Sequence, residues 1–402
     1  MVNSTFLSET ILILGNGFDI AMGRKTKYTD FIEFEKQLFS NPDEKLLEFL
    51  KAKNISIEKY KNNLYLRFIN ENKETIGENW SNLEIIISQL ADAIMQFKEN
   101  SDLLYSTTNE PLPRFIENWK LRWRRSSNCS SKSYVADTFS FLFYEKGWSS
   151  LERDVALEYL NNEFIRQLDF LTELLEIYLS YLDYLDFEVR GIKASPTALD
   201  AIPNLLSSYV LNFNYTNTSG YLFETVEERT HFIHGRIDLD RTFSRINTMV
   251  FGIEDKENDV NSDLIPYQKY YQRVVKETGN TFEEFFIKRN YTGKNTSVVG
   301  RAVPTRVPVS KNIVIFGHSV DPLDKEIFQK CFELAALGEY PYRFIFTYFD
   351  EAAKRSIVKN LAIILGKEKL VELTGQRKVV FVKSDDANGM KDAFLKWSLP
   401  GR

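Results

Sequence analysis

The sequence predicts an α/β protein, with a Rossmann-like and mostly parallel sheet and a large α-helical insertion. Three observations favour this fold class. The apolar run at residues 11–14 ends abruptly in the Gly-x-Gly turn of residues 15–17, as a buried parallel strand does before its helix. A long block with helical periodicity comes next. Short apolar segments then alternate with helical ones, which is typical of a parallel sheet with helices on both faces.

Composition and charge narrow the class of protein. The chain has 402 residues, of which 43% are hydrophobic and 27% are charged, as in a globular protein with a core. Its net charge of −5 offers no general attraction for nucleic acid or an anionic membrane. Two cysteines exclude a disulfide framework and a cysteine-based zinc site. No leader pattern and no membrane-length apolar stretch is present, so we expect a cytoplasmic protein with no membrane partner.

The first part of the core, residues 1–34, carries the glycine turn. Glycines let backbone N–H groups approach a ligand closely because they have no Cβ atom, and the first turn of the following helix can hold a phosphate. Gly23 adds a third glycine to the block, and Asp19 adds an acid. The pattern favours a nucleotide-binding turn, although it is not the complete dinucleotide fingerprint.

Residues 35–203 are expected to form the helical insertion. No proline occurs between positions 113 and 196, and apolar residues recur at steps of three and four from 164 to 185. Such a stripe predicts an amphipathic helix. Because the block is far longer than a connection between a strand and a helix, we assign it to a subdomain inserted into the sheet.

The first two helices of the insertion have clear sequence signals. Residues 31–39 form an amphipathic stretch. Asn41 and Pro42 then predict the N-cap and the first residue of a second helix that continues through Leu50.

Two segments of the insertion resemble each other, Trp80-Ser81-Asn82-Leu83-Glu84 and Trp148-Ser149-Ser150-Leu151-Glu152. Each fits a capping box, in which a serine hydroxyl and a glutamate three residues later bond to helix-end N–H groups. The alternative is that Glu84 or Glu152 lies at a ligand. The sequence leaves both interpretations open.

Residues 204–402 are expected to complete the Rossmann-like core, with a lid-like loop region at 254–310. Alternating apolar and polar residues predict the strands, and helical periodicity predicts the helices. The predicted strands are 206–213, 230–234, 248–252, 312–316, 342–349 and 378–383, and the predicted helices are 324–337, 350–365 and 387–398.

Polar residues follow the predicted strands at the ends where open parallel sheets bind ligands. They include Asn214, His234 and His318, in segments rich in glycine, asparagine and serine. Asn214 offers an amide that can fix a ribose hydroxyl or a water, and His234 can act as a general base near neutral pH. Backbone amides at 15–17 and 317–319 can hold a diphosphate. No Gly-x-Ser-x-Gly elbow or His-Glu-x-x-His pattern is present, so we expect no metal.

In combination these segments resemble the AbiH family of bacterial phage abortive-infection proteins, over most of the chain from residue 11 to about 330. The blocks that carry the resemblance are Gly15-Asn16-Gly17-Phe18-Asp19 with Gly23, residues 26–31, Asn214-Tyr215-Thr216, His234-Gly235, and Gly317-His318-Ser319 with Asp324.

The same blocks, in the same order, are similar to the sirtuin (SIR2-like) superfamily. That resemblance implies a SIR2-like core that binds NAD, with Asn214 positioning the nicotinamide ribose and His234 acting as general base. Asp19 would hold the adenosine ribose or cap the loop. The residues implied in binding are Gly15, Asn16, Gly17, Asp19, Gly23, Asp30, Phe31, Tyr215, Gly317, His318, Ser319 and Asp324.

Two departures from the sirtuin pattern change the expected activity. Thr216 stands where sirtuins carry Asp, and the cysteine pairs of their zinc module are absent. Both departures argue against protein deacetylation. The resemblance then implies an antiphage NAD⁺ glycohydrolase, in which NAD is a substrate hydrolysed to nicotinamide and ADP-ribose.

Two other functions stay open. A nucleotide-binding sensor or switch without turnover is favoured by Thr216, and a nucleic-acid-acting toxin would use the basic segment 269–306. The net charge disfavours nucleic acid as a partner. The expected partner is NAD or a related nucleotide. Self-association into a homo-oligomer is compatible with the sequence, and a phage-derived trigger is expected but not identified.

Overall fold

The apolar run before the glycine turn is a central strand of a parallel sheet in the computed structural model. The model describes residues 8–72, 80–99, 130–148, 152–253, 263–292, 296–298, 301–303 and 306–395. Within these residues the main sheet has six strands, all parallel, and only these strands are numbered below. They are β1 (Ser8–Leu14), β2 (Tyr209–Asn212), β3 (Thr230–Phe232), β4 (Ser310–Phe316), β5 (Tyr342–Tyr348) and β6 (Val379–Lys383).

The strand order in space is β3-β2-β1-β4-β5-β6. This is the order of the dinucleotide-binding Rossmann fold, in which the chain direction across the sheet reverses between β1 and β4. Leu14 at the end of β1 pairs with Asn212 of β2 and with Phe316 of β4. The carboxyl ends of three strands therefore lie side by side at the reversal point. The predicted α/β, Rossmann-like fold class is confirmed.

Apolar side chains on both faces bury the sheet. In β1, Ile11 and Ile13 belong to the core on one face, and Leu12 and Leu14 to the core on the other. Strands buried on both faces read as continuous apolar runs because helices cover each side. This explains why the run at 11–14 shows no alternation with polar residues.

The described ranges also contain the α-helices. In chain order they are α1 (Asn16–Ala21), α2 (Tyr28–Ser40), α3 (Glu44–Ala52), α4 (Leu64–Glu71), α5 (Trp80–Glu99), α6 (Ser130–Glu145), α7 (Arg153–Asp183), α8 (Thr218–Phe223), α9 (Lys269–Val275), α10 (Lys325–Leu337), α11 (Glu351–Leu365), α12 (Lys367–Gly375) and α13 (Ala387–Ala393). A π-helical segment, Tyr184–Val189, continues α7. Short antiparallel pairs join Asn290–Thr292 to Arg306–Pro308 and Thr296–Val298 to Arg301–Val303.

The chain divides into two compact units. We call them the sheet unit (Met1–Thr26, Leu182–Arg236 and Thr278–Arg402) and the helical unit (Lys27–Tyr181 and Ile237–Glu277). No helix in the described ranges combines the length and the apolar character needed to cross a membrane.

The unit boundaries differ from the division expected at 34/35 and 203/204. Residues 182–203 belong to the sheet unit, because Ala198 and Leu199 pack into the core on one face of the sheet. Residues 237–277 belong to the helical unit. There the buried Glu176 of α7 accepts hydrogen bonds from Asp238 N at 3.0 Å and from the Arg241 guanidinium at 2.6 Å.

The segment 254–310, expected as one lid-like loop, is divided between the two units at Glu277 and Thr278. Residues 254–262, 293–295, 299–300 and 304–305 lie outside the described part. In the sheet unit, the 3-10 helix Thr281–Phe286 buries three phenylalanines in the core. That anchored part packs as core, and a lid formed by the rest of the segment stays a prediction.

The predicted strand at 248–252 is not part of a sheet. Phe251 N donates to Gln272 Oε1 at 2.9 Å, and Gln272 Nε2 donates to Phe251 O at 3.0 Å. The side-chain amide of Gln272 therefore satisfies the backbone groups that a neighbouring strand would otherwise pair with. The apolar residues of this segment, such as Val250, are buried without forming a strand.

The second helix of the insertion begins two residues later than expected. Asp43, rather than Asn41, is the N-cap of α3, and its carboxylate accepts from Leu46 N at 2.8 Å. A charged cap also interacts favourably with the positive end of the helix dipole. Pro42 thus lies before the helix and not in its first turn.

Candidate functional site

The loops after β1 and β4 lie directly against each other where the strand order reverses. Gly15 N donates to Phe316 O at 3.0 Å, and Gly17 N donates to Gly317 O at 2.8 Å. The segments 15–17 and 317–319 therefore contact each other directly. We call these two segments together the double loop.

Glycine is required here because the two backbones approach so closely. A Cβ atom on Gly15 would lie 2.7 Å from Gly317 O, and one on Gly17 would lie 2.8 Å from Gly317 Cα. Gly317 has φ +69°, and its Cβ would lie 2.1 Å from Phe18 N. The amides of Gly15 and Gly17, expected to hold a diphosphate, already donate to the neighbouring loop. A diphosphate bound by them would have to displace those bonds.

Asn214 lies beside this double loop with a fixed side-chain orientation. Its Nδ2 donates to Gly15 O at 3.1 Å and to Asp19 Oδ1 at 3.3 Å. Both partners are acceptors, so the amide nitrogen must face them and Oδ1 must face the other way. Within the described residues Oδ1 accepts no hydrogen bond. Asn214 can therefore present an acceptor to a hydroxyl group or a water.

Asn212 holds the loop that carries Asn214. Asn212 Oδ1 accepts from Asn214 N at 2.9 Å, and Asn212 Nδ2 donates to Thr216 O at 2.9 Å. The residue ends β2 and is 2% exposed, so these bonds are shielded from competition by water. Sequence reasoning did not single out Asn212. The asparagine two residues before Asn214, at the end of a strand, is the signal that could have identified it.

Asp324 lies between the two candidate histidines. Its Oδ1 is 3.3 Å from His234 Nε2, and its Oδ2 is 3.5 Å from His318 Nε2. The Phe213 ring packs edge-on against both imidazoles, with centroid distances of 5.6 Å to His234 and 4.3 Å to His318. The two histidines and the aspartate, from three separate segments of the sheet unit, form one cluster.

A strained turn holds His318. Val320 N donates to His318 Nδ1 at 2.8 Å, so Nδ1 must be the unprotonated ring nitrogen and Nε2 carries the proton towards Asp324. Val320 has φ +57°, which is rare for a β-branched residue and costs about 1–3 kcal/mol. Asp321 supports the turn by accepting from Leu323 N at 3.1 Å.

The cluster has the parts of a general base. Nε2 of His234 faces the Asp324 carboxylate, whereas Nδ1 is buried. A carboxylate in this position stabilises an imidazolium, as in other His–Asp pairs. The side chains of His234 and Asp324 are only 11% and 13% exposed, so their interaction is little weakened by water. Nowhere in the described ranges do three His, Cys, Asp or Glu side chains group as metal ligands.

The family model for AbiH, described as bacteriophage abortive infection AbiH, matches residues 11–346. The chain is a member of the AbiH family. The match includes every residue of the double loop, the loop at 212–216 that carries Asn214, and the cluster of His234, His318 and Asp324. A search of curated proteins and a search of solved structures find no match to the chain.

Several other predicted residues of this AbiH protein have local structural roles. Asn16 uses its side chain to hold Thr26, through Nδ2 to Thr26 O at 3.1 Å and Thr26 Oγ1 to Oδ1 at 2.7 Å. Gly23 has φ +79° after α1, with open space where a Cβ would lie. Ser319 is exposed, and its carbonyl accepts from Asn360 Nδ2 at 3.1 Å. Tyr215 is half-buried beside Asn214.

Asp30, Phe31 and Glu84 belong to the helical unit and have partners there. Asp30 accepts from Lys27 N at 2.9 Å at the N-terminus of α2. Phe31 is fully buried, with its ring 5.8 Å from that of Tyr178. Glu84 pairs with Lys269 Nζ at 3.0 Å.

The two predicted capping boxes are only partly described. The side chain of Ser81 and all of Ser149 lie outside the described part, and Glu152 is exposed.

His231 is part of the core and lies outside the His234–Asp324–His318 cluster. Its Nδ1 shares a hydrogen bond of 2.8 Å with Thr281 Oγ1, and its ring centroid is 5.5 Å from that of Phe282. At 5% exposure it supports the packing of the 3-10 helix on β3.

Proposed function

We propose that this AbiH-family protein binds NAD⁺ at the carboxyl end of its sheet and hydrolyses it to nicotinamide and ADP-ribose. The observation that carries the proposal is the pairing of an oriented acceptor, Asn214 Oδ1, with a carboxylate-supported base, His234, at the same strand ends. The Rossmann-like strand order supports a nucleotide ligand at that position.

The residues present fit a ribose hydroxyl better than a bare phosphate. Asn214 can only accept from the ligand, because its amide hydrogens are committed to Gly15 and Asp19. Hydroxyl groups and water are donors that satisfy such an acceptor, whereas a phosphate oxygen needs a donor instead. We therefore assign Asn214 to the nicotinamide ribose or to the attacking water.

In the proposed reaction the bond between the ribose C1′ and the nicotinamide nitrogen breaks, and its electron pair goes to the ring, which leaves as neutral nicotinamide. Water adds to C1′, and its proton passes to His234. Asp324 stabilises the imidazolium that forms. The products are nicotinamide, ADP-ribose and the proton that His234 later releases to solvent.

The test is release of nicotinamide from NAD⁺ by the purified full chain, followed by chromatography. We expect release by the wild type and no measurable release by a His234→Ala variant with an unchanged circular dichroism spectrum. Glu326→Gln is the control, since Glu326 is exposed at the start of α10 close to Asp324 in sequence. Equal release by His234→Ala would contradict the role of His234.

A nucleotide sensor without turnover is the second candidate, and one observation favours it. The amides of Gly15 and Gly17 are already bonded within the protein, so a nucleotide that took over these bonds would change the conformation of the loop. If the wild type releases no nicotinamide but NAD⁺ raises its melting temperature, the sensor is the function.

In the context of bacteriophage abortive infection, the family's own description, hydrolysis would remove NAD⁺ from an infected cell. We propose that this loss of NAD⁺ limits phage replication. The test is the NAD⁺ content of infected cells that carry the wild type or the His234→Ala variant. A fall with the wild type alone is expected, and an equal fall in both would contradict the proposal.

A further inference from the structure

Arg24 is a buried cation next to the proposed site, and its side chain is 0% exposed. Its guanidinium Nε donates to Asp186 Oδ2 at 2.9 Å, and Nη2 donates to Asp183. Nη1 donates to Thr218 Oγ1 and lies 3.6 Å from Asp19 Oδ2. One guanidinium therefore faces three carboxylates from two distant parts of the chain.

Hydrogen bonds run in one direction from Arg24 to Asp19. A guanidinium can only donate, so Thr218 accepts from Arg24, and its own hydroxyl donates to Thr216 at 3.3 Å. Thr216 then donates to Asp19 Oδ2. Asp19 ends the chain as an acceptor, and its other oxygen accepts from Asn214 Nδ2 at 3.3 Å.

We infer that Asp19 is a positioning residue for Asn214, held as an acceptor by Arg24, and is not a ligand of the nucleotide. Asp19 is 1% exposed, and both of its oxygens already have donors. By holding Nδ2, it turns Asn214 Oδ1 away from the double loop. The effect of this positioning on catalysis rests on the proposed function.

Opposing electrostatic effects act on Asp19, and their net result is a raised pKa. Burial raises the pKa of Asp19, and the Arg24 charge and the Thr216 hydrogen bond oppose that rise. Burial likewise raises the pKa of Asp183 to about 6, against the effect of Arg24. Arg190 adds a second cation by pairing with Asp186. Two arginines thus face three aspartates, and loss of Arg24 would leave Asp19 as a buried charge without its main counter-charge.

The aspartates come from the end of the long helix. Asp183 is the last residue of α7, and Asp186 lies in the π-helical segment that follows. The ring of Phe187 from the same segment covers Arg24, with its centroid 4.9 Å from the guanidinium carbon. A displacement of this segment would therefore reach Asn214 through Arg24 and Asp19.

The first experiment is a double-mutant cycle on the full chain, with Asp19→Ala, Asn214→Ala and both together, measured by chemical denaturation. We expect the unfolding equilibrium constant of the double variant to differ by at least about threefold from the value that the two single variants predict together. The reason is that each single variant removes the same contact. The control cycle pairs Asn214→Ala with Glu9→Gln at the opposite end of β1, and we expect it to be additive. Additivity in the first cycle would overturn the inference.

The second experiment measures steady-state hydrolysis of NAD⁺ by Asp19→Ala and Thr216→Val. We expect kcat to fall about tenfold or more in Asp19→Ala, with KM changed less than about twofold, and a smaller fall in Thr216→Val, which keeps the carboxylate. A raised KM with unchanged kcat would make Asp19 a ligand of the substrate and overturn the inference. If the wild type releases no nicotinamide, the proposed function fails, and the double-mutant cycle still decides whether Asp19 positions Asn214.

Discussion

At the scale of single residues, hydrogen-bond direction assigns roles that residue type alone leaves open. Asn214 can only accept because Gly15 O and Asp19 Oδ1 take its amide hydrogens. His318 must carry its proton on Nε2 because Val320 N donates to Nδ1. In both cases the hydrogen-bond partners decide which atom of the side chain faces the proposed site.

The protonation of His318 can be observed directly. We expect nitrogen-15 NMR to show the Nε2-protonated tautomer for His318 at neutral pH, since an Nδ1 proton would clash with the Val320 N–H. The chain has only three histidines, and a His318→Asn variant identifies the signal. An Nδ1-protonated imidazole at this position would show that the turn is held differently in solution.

Asp324 should matter for the rate of the proposed reaction and little for substrate binding. Asp324→Asn keeps the shape but removes the charge that stabilises the His234 imidazolium, so we expect kcat for NAD⁺ hydrolysis to fall about 100-fold. Steady-state kinetics measure the effect, with Glu326→Gln as the control. An unchanged kcat would exclude the His234–Asp324 pair as the base.

At the scale of elements, the reversal between β1 and β4 depends on two loops that contact each other through glycine. Gly317 combines φ +69° with a Cβ position 2.1 Å from Phe18 N, whereas Gly23 has φ +79° and open space at its Cβ. Comparing the two glycines therefore distinguishes two contributions to the free energy of unfolding. One is the cost of a positive φ for a residue with a Cβ atom, and the other is a steric clash of that Cβ with backbone atoms.

Replacing each glycine by alanine tests that separation. We expect Gly317→Ala to destabilise the protein by at least about 3 kcal/mol, because backbone atoms of the other loop must move. Gly23→Ala should cost only about 1 kcal/mol, the conformational part. Chemical denaturation of both variants measures this, and equal losses would contradict the contact between the loops.

The junction after α7 should respond to pH through Asp183. Its pKa is raised from 3.8 to about 6 by burial, so the folded protein binds a proton more readily than the unfolded chain. The stability from this group is fully present below the unfolded pKa and is lost as pH rises through about 6.

Asp183→Asn removes this titration. Between pH 7 and pH 5 the wild type should gain about 1 kcal/mol relative to the variant. Denaturation at the two pH values measures the difference, and a constant difference between the two proteins would show that Asp183 does not take up a proton in that range.

At the scale of the whole molecule, the sheet unit has an apolar core that includes the free thiol of Cys331. Burial raises the pKa of this thiol well above its usual value, and the residue is 0% exposed. Thiol reagents react with the thiolate, so labelling of Cys331 requires the core of the sheet unit to open.

In a Cys129→Ser background, we expect Cys331 to react at least about 10³-fold more slowly in buffer than in denaturant. The dependence of the labelling rate on denaturant concentration then measures the free energy of opening the sheet unit. Fast labelling in buffer would show that this core opens readily. Cys129 itself lies outside the described residues.

Local sequence was sufficient for the fold class and for placing the candidate residues at the ends of strands. The apolar runs of β1 and β4 and the glycines that follow them are short-range signals, and they predicted both the fold class and the strand ends that meet. The chain's membership of the AbiH family was also readable from these blocks in combination.

Only the tertiary structure decided which polar groups meet. Arg24 contacts Asp186 across 162 residues of sequence, and Asp324 approaches both His234 and His318. Residues so far apart in the chain leave no repeating pattern in a single sequence from which their contact could be predicted. The apolar segment at 248–252 failed as a strand for a related reason, because the distant side chain of Gln272 satisfies its backbone. Short-range sequence patterns determine helices and strands because backbone preferences are local. Contacts between polar side chains are determined by the fold, because a buried polar group without a hydrogen-bond partner costs free energy and must find its partner among the groups that the fold brings close.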